Sequence, residues 1–170
     1  MKVQIKLNID EVINIELYPE YAPKSVANFL ELVKKGYYKD TCFHRVIKGF
    51  MIQTGGYKIE TNTLKELPEV KTINGEFSSN GFKNDLKHEL GVISMARTSD
   101  PNSASSQFFI CAGTAKWLDG EYAAFGKTCD EQSNEVVLKI AGMPTMNIGG
   151  GFSDFPQYDI HIEDVVITEE

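Results

Sequence analysis

The run Phe43-His44-Arg45-Val46-Ile47-Lys48-Gly49-Phe50-Met51-Ile52-Gln53 is rich in β-branched and aromatic residues and is broken by Lys48-Gly49. It reads as two strand segments, 41–47 and 50–54. Further strand-like stretches follow at 91–95, 107–112 and 125–128, and 160–168 reads as a closing strand. Toward the start of the chain, Val3, Ile5, Leu7 and Ile9 alternate with polar residues, as do Ile13, Ile15 and Leu17, with Asp10-Glu11 between them. That pattern predicts two half-buried strands joined by a short turn. The period changes over 23–36, where Val26, Phe29, Leu30 and Val33 fall on one face of a helix. Pro23 suits the first turn because its missing N–H is not needed there, and Gly36 can close the helix with positive φ. A second short helix is expected over 132–141, with Val136, Val137 and Ile140 as its apolar stripe. Gly-, Asn- and Ser-rich stretches at 54–81 and 97–106 separate the strands, and 147–154 is a Gly-rich loop. About eight strands and two helices in one domain predict a mainly β fold, a closed or nearly closed antiparallel barrel, since closure removes exposed edges.

Composition excludes several classes. The chain has 170 residues, 42% hydrophobic and 24% charged, which suits one globular domain over 1–170. Its net charge of −7 opposes sequence-independent binding of nucleic acid, which requires cations to displace counterions from phosphates. No apolar run approaches the length of a membrane span, and the alternating N-terminus is not a signal peptide, so a cytoplasmic location is expected. Three cysteines are too few and scattered for a disulfide scaffold. Cys42 and Cys111 lie in apolar stretches and are expected to be small buried hydrophobes. His44, His88 and His161 lack zinc-ligand spacing, so no metal is expected and each histidine reads as structural or superficial. Residues 120–128 approximate a phosphate-binding loop but place five residues before Gly126-Lys127-Thr128 instead of four, which would misplace the amides. Gly149-Gly150-Gly151 lacks a strand-to-helix context and reads as a turn.

Two segments carry more information together than apart. The first is the Phe43–Gln53 run; the second is Ser94-Met95-Ala96-Arg97-Thr98, continuing through Asp100-Pro101-Asn102-Ser103-Ala104-Ser105-Ser106 to Gln107-Phe108-Phe109-Ile110, followed by Trp117-Leu118-Asp119-Gly120. In this order they resemble the cyclophilins, the peptidyl-prolyl cis-trans isomerases that bind cyclosporin. The resemblance covers nearly the whole chain. It implies an eight-stranded antiparallel β-barrel capped by two α-helices, acting without cofactor on proline-containing peptides and unfolded protein segments. By this resemblance Arg45 corresponds to the family's catalytic arginine. Phe50, Met51, Phe109 and Leu118 correspond to the lining of its proline pocket. Gln53 and Gln107 correspond to polar groups beside the substrate, and Ala96, Arg97 and Thr98 to the segment that contacts the peptide. Trp117 corresponds to a rim residue that favours cyclosporin, and His44 to a supporting residue rather than an acid or base. Tyr122 stands where many members have histidine; its flat ring is expected to preserve the wall. Arg97-Thr98 resembles bacterial members and adds a charge near the peptide. The segment 57–70 follows no family pattern, with Tyr57 replacing an aspartate common after the glycine pair.

The chemistry suits these residue types. Rotation about X–Pro breaks amide resonance across a barrier of about 18–20 kcal/mol, and no covalent bond is made or broken. An apolar pocket can hold the ring, and a permanently charged guanidinium can hydrogen-bond the proline nitrogen as it becomes pyramidal. The main expectation is therefore a monomeric isomerase. The competing reading is a proline-binding or chaperone module with incidental catalysis, against which Arg45 argues.

Overall fold

In the computed structural model, which describes residues 1–170, the opening alternation folds as β1 (Lys2–Leu7) and β2 (Val12–Leu17). Val3, Ile5, Leu7, Ile13, Ile15 and Leu17 are buried, and the residues between them are not. Helix α1 (Pro23–Lys34) follows and buries Val26, Phe29, Leu32 and Val33, and Gly36 just beyond it has φ 69°. Then come β3 (Arg45–Ile47), β4 (Met51–Thr54), β5 (Tyr57–Glu60), β6 (Thr63–Glu66), β7 (Val92–Met95), β8 (Phe108–Cys111) and β9 (Ala124–Thr128). Helix α2 (Glu131–Ala141), β10 (Thr145–Met146), β11 (Phe155–Pro156) and β12 (Ile162–Glu169) complete the chain.

Eight strands form one antiparallel sheet in the order β12-β1-β2-β9-β7-β8-β4-β3. The sheet curls strongly, but a closed barrel overstates it. Edge strands β3 and β12 share no ladder; Phe43 N–H donates to Ile160 O at 3.0 Å and Ile162 N–H to Thr41 O at 2.9 Å across the gap. The expected strand over 41–47 is regular only from Arg45. Thr41 and Cys42 bridge two different partners, Lys58 and His161, and so run in register with neither. The inner face of the sheet and the buried sides of both helices share one cluster that includes Ile5, Phe29, Ile52, Phe108, Phe125, Val137 and Ile140. Cys42 and Cys111 are buried thiols, each pushed up to about 12 by burial.

The stretch 54–81 is not all loop. It holds the β5–β6 hairpin, whose tip residues Thr61 and Asn62 have φ 51° and 57°. Two successive positive φ angles match the twist of a two-residue hairpin, but threonine rarely adopts them, so the turn has no sequence signal of the Asn-Gly kind.

The two helices are capped differently. The Asp130 carboxylate caps α2, accepting from Ser133 N–H at 2.7 Å. Helix α1 has Ala22 and Pro23 at its start and no cap of its own. Instead the buried Glu76 carboxylate accepts from Lys24 N–H at 3.1 Å, Ser25 N–H at 2.6 Å and the Ser25 hydroxyl at 2.8 Å. A negative group there satisfies free amides and complements the helix dipole. Asn84 donates to the carbonyls of Glu76 and Ala124, tying that loop to β9. Glu76→Ala should lower the unfolding free energy by about 2–3 kcal/mol, with Glu76→Gln intermediate, in urea titrations.

Candidate active site

Sheet register assembles the site. Arg45 pairs with Gln53, Gln53 with Phe109, and Phe109 with Ser94, so one row crosses β3, β4, β8 and β7. The adjacent row, Val46-Ile52-Ile110-Ile93, points into the interior cluster. Because side chains alternate, the Arg45 row lies on the outer face. That face has a small apolar cluster of its own, containing Met51, Val92, Phe109, Cys111, Ala115, Leu118 and Ala124.

Above this cluster lies a cavity of about 140 Å³ lined by Arg45, Phe50, Met51, Gln53, Ala96, Arg97, Phe109, Leu118 and Tyr122. All nine are residues singled out from the sequence. The volume suits one small ring and is well below that of drug-sized sites. Arg45 is exposed, at the end of β3's outer row, and takes part in no ion pair.

Four of the expected residues lie outside the cavity wall. Gln107 accepts from Gln53 Nε2 at 2.9 Å and so acts on the site through it. A side chain at Gly56 would strike Gln107, so the glycine leaves room for this amide pair. Trp117, 64% exposed, leans on Phe50 with centroids 5.5 Å apart, which places it at the rim. Thr98 is exposed, and its N–H and hydroxyl both bond Ser103 Oγ at 2.9 Å, which shapes the loop. His44 is buried against Tyr57 and Phe152, and its Nδ1 has no partner. Burial, and secondarily the Arg45 charge, holds its imidazole down at about 4, so it is neutral at physiological pH.

Arg97 lines the cavity, but its charge is already engaged within the protein. Its Nε and Nη2 donate to Glu121 O at 3.0 and 2.8 Å, and Nη1 donates to Thr98 O at 2.9 Å. Its guanidinium lies over Phe77 at 4.8 Å and Tyr122 at 4.6 Å. It fastens Tyr122 to the cavity wall, where the tyrosine meets Phe109 edge-on at 5.8 Å.

Sequence reasoning missed the support beneath the floor. His88 is buried, bonded to Asp119 Oδ1 at 3.0 Å and to Ser94 Oγ at 2.9 Å, and stacked on Phe109 at 6.0 Å. Burial lowers its pKa despite the opposing pull of Asp119. Ser94 is fully buried, so no substrate carbonyl can reach its hydroxyl, and this trio is scaffolding rather than a nucleophilic triad. Its members are spread over 88–119 with no motif to join them. Nowhere do three His, Cys, Asp or Glu side chains converge as metal ligands.

The chain matches the family model for cyclophilin type peptidyl-prolyl cis-trans isomerase/CLD over residues 2–167. It is 45% identical over 152 residues to the peptidyl-prolyl cis-trans isomerase of Acinetobacter baylyi, covering 86% of this chain and 75% of that one. Peptidyl-prolyl cis-trans isomerase B of Escherichia coli is 38% identical over 163 residues, covering 91% and 93%. Among solved structures, the cyclophilin type isomerase of Cryptosporidium parvum, determined in the presence of the dipeptide Ala-Pro, matches with TM-score 0.80 at 33% identity over the whole of both chains. With the outer-face pocket, its unpaired arginine and this family match together, the chain belongs to the cyclophilin-type peptidyl-prolyl cis-trans isomerases.

Proposed function

We propose that this isomerase accelerates rotation of X–Pro bonds in flexible or unfolded protein segments, with Arg45 acting on the rotating amide. The observation that carries this reading is an unpaired guanidinium at the edge of an apolar cavity sized for one ring. In the proposed mechanism the proline ring enters between Phe50, Met51, Phe109 and Leu118. Gln53, steadied by Gln107, holds the peptide, and Ala96 and the backbone of Arg97 and Thr98 align it. As resonance is lost, the proline nitrogen gains a lone pair and Arg45 donates a hydrogen bond to it. That bond is stronger in the twisted state than in either planar one, so it lowers the barrier. Each ~1.4 kcal/mol of this difference is worth about tenfold in rate, and a thousandfold effect needs about 4 kcal/mol.

The reading extends to a single-domain monomer that assists folding in the cytoplasm. The exposed Cys129 is a free thiol, the state a reducing compartment maintains, and supports that location. Cyclosporin is proposed as a ligand, with the exposed Trp117 indole beside Phe50 as its rim contact.

Exchange NMR on an Ala-Pro-Phe peptide tests the mechanism. Arg45→Ala should reduce catalysed exchange about a hundredfold or more, equivalent to ~2.7 kcal/mol, while the fold persists. Peptide binding without faster exchange in the unsubstituted protein would favour a binding module instead. The rate should be flat from about pH 6 to 9, because arginine keeps its charge and His44 protonates only near 4. A limb near pH 6–7 would implicate an imidazole. Cyclosporin should inhibit at micromolar concentration, and Trp117→Ala should weaken it at least about tenfold, read by titration.

A further inference from the structure

Beside the proline pocket lies a second cavity of about 280 Å³, and the two share Arg45 and Gln53 as a common wall. The ring of Tyr57 meets His44 at 4.8 Å, and Phe152 stands edge-on to both, 5.1 Å from Tyr57 and 6.1 Å from His44. The rim is the glycine-rich turn, where Gly149, Gly150 and Gly151 have φ 82°, 63° and 89° and deliver Phe152 and Asp154 to the cavity. Three successive positive φ angles are accessible to glycine at little cost, so the turn holds a shape other residues would resist.

The charges in this cavity are unusual. Arg45 and Asp154 are its formally charged lining residues, yet no ion pair joins them, and half-buried Asp154 has no cation within 4 Å. His44 adds no charge near neutrality, and its buried Nδ1 lacks a partner.

We infer that this second cavity is a substrate subsite for a cationic side chain, lysine or arginine, placed within two residues of the X–Pro pair. The inference rests on the isomerase reading, because Arg45 and Gln53 are what join the two cavities. An extended chain advances about 3.3–3.6 Å per residue, so a peptide with proline in the first cavity brings a neighbouring side chain to the second. Arg45 keeps its charge, but in the proposed mechanism its head is directed at the rotating bond in the first cavity, so Asp154 is the charge directed at that side chain. The rings of Tyr57 and Phe152 favour a cation further, and the chain's net charge of −7 acts in the same sense. An acidic side chain would instead meet the Asp154 carboxylate.

Exchange NMR on Ala-Pro peptides carrying Lys, Gln or Glu at each of the two positions on either side of the Ala-Pro pair tests this. At one position kcat/KM should follow Lys > Gln > Glu, with Lys exceeding Glu about fivefold or more. Asp154→Asn should bring that ratio near one, Asp154→Lys should invert it, and Tyr57→Ala should narrow it. Each ratio compares two peptides on one preparation, so it does not depend on the fraction folded. Equal rates at every position, a preference for Glu in the unsubstituted protein, or a Lys preference untouched at Asp154 would overturn the subsite and leave the isomerase reading standing. Absence of catalysed exchange with every peptide would overturn that reading and the subsite with it.

Discussion

Strands β4, β7 and β8 must bury both faces, and much of the architecture follows from this. Their inward residues, Ile52, Ile93, Phe108 and Ile110, belong to the interior cluster; their outward residues, Met51, Val92, Phe109 and Cys111, belong to the outer one. An antiparallel sheet normally leaves one face to water. Here the outer face is covered by the segment through Ala115, Leu118 and Tyr122, which packs on it without filling it. The hollow left between sheet and cover is the pocket, and its floor is as rigid as the sheet itself. Phe109 is held from below by His88 and from the side by Tyr122. A catalytic pocket built on strands varies less in shape than one built on loops, which suits a reaction that depends on positioning alone.

The same two-sided burial explains what could and could not be read from the sequence. The β1–β2 hairpin and both helices have one wet face, so period 2 and period 3.6 are clean there, and Val3, Ile5 and Val26, Phe29, Val33 are found where the pattern puts them. Phe108-Phe109-Ile110-Cys111 has no alternation because both faces are dry. Periodicity alone therefore cannot say that Phe109 looks outward and Phe108 inward. The site residues were recognisable by family resemblance, not by pattern. Other features depend on partners distant in sequence. Glu76 caps a helix 51 residues upstream of it, and the Ser94–His88–Asp119 trio joins three separate segments. The β5–β6 hairpin was invisible for a local reason, since Thr61 occupies a backbone conformation that its branched side chain disfavours.

The arginines of the site show how one residue type takes opposite parts. Arg97 lies against two rings and has its fork engaged by two carbonyls, so its positive charge is satisfied internally. Its effect is to join the 97–98 loop to the 121–122 turn and so keep Tyr122 upright. Arg45 sits on a strand with a rigid backbone and a solvent-exposed head. Sequence likeness gives Arg45 as the catalytic arginine and Arg97 as a charge near the peptide; their partners show the second to be a fastener and the first a free group.

In the proposed mechanism that freedom has a consequence for the whole surface. The chain has 24 acidic residues against 17 basic ones, so an exposed guanidinium without a carboxylate partner requires that nearby acids be kept out of reach. Gln53, neutral and bonded to Gln107, occupies the cross-strand position opposite Arg45 from which a carboxylate would pair with it in the ground state. A paired arginine would have to break that pair before reaching the proline nitrogen, and the differential binding would shrink by the same amount. Asp154 shares a cavity with Arg45 yet stays beyond ion-pair distance, and the Val46 N–H, which donates to its backbone carbonyl at 3.0 Å, anchors the turn to β3. In the proposed subsite the carboxylate acts on the substrate's neighbouring side chain without neutralising the guanidinium that acts on the bond.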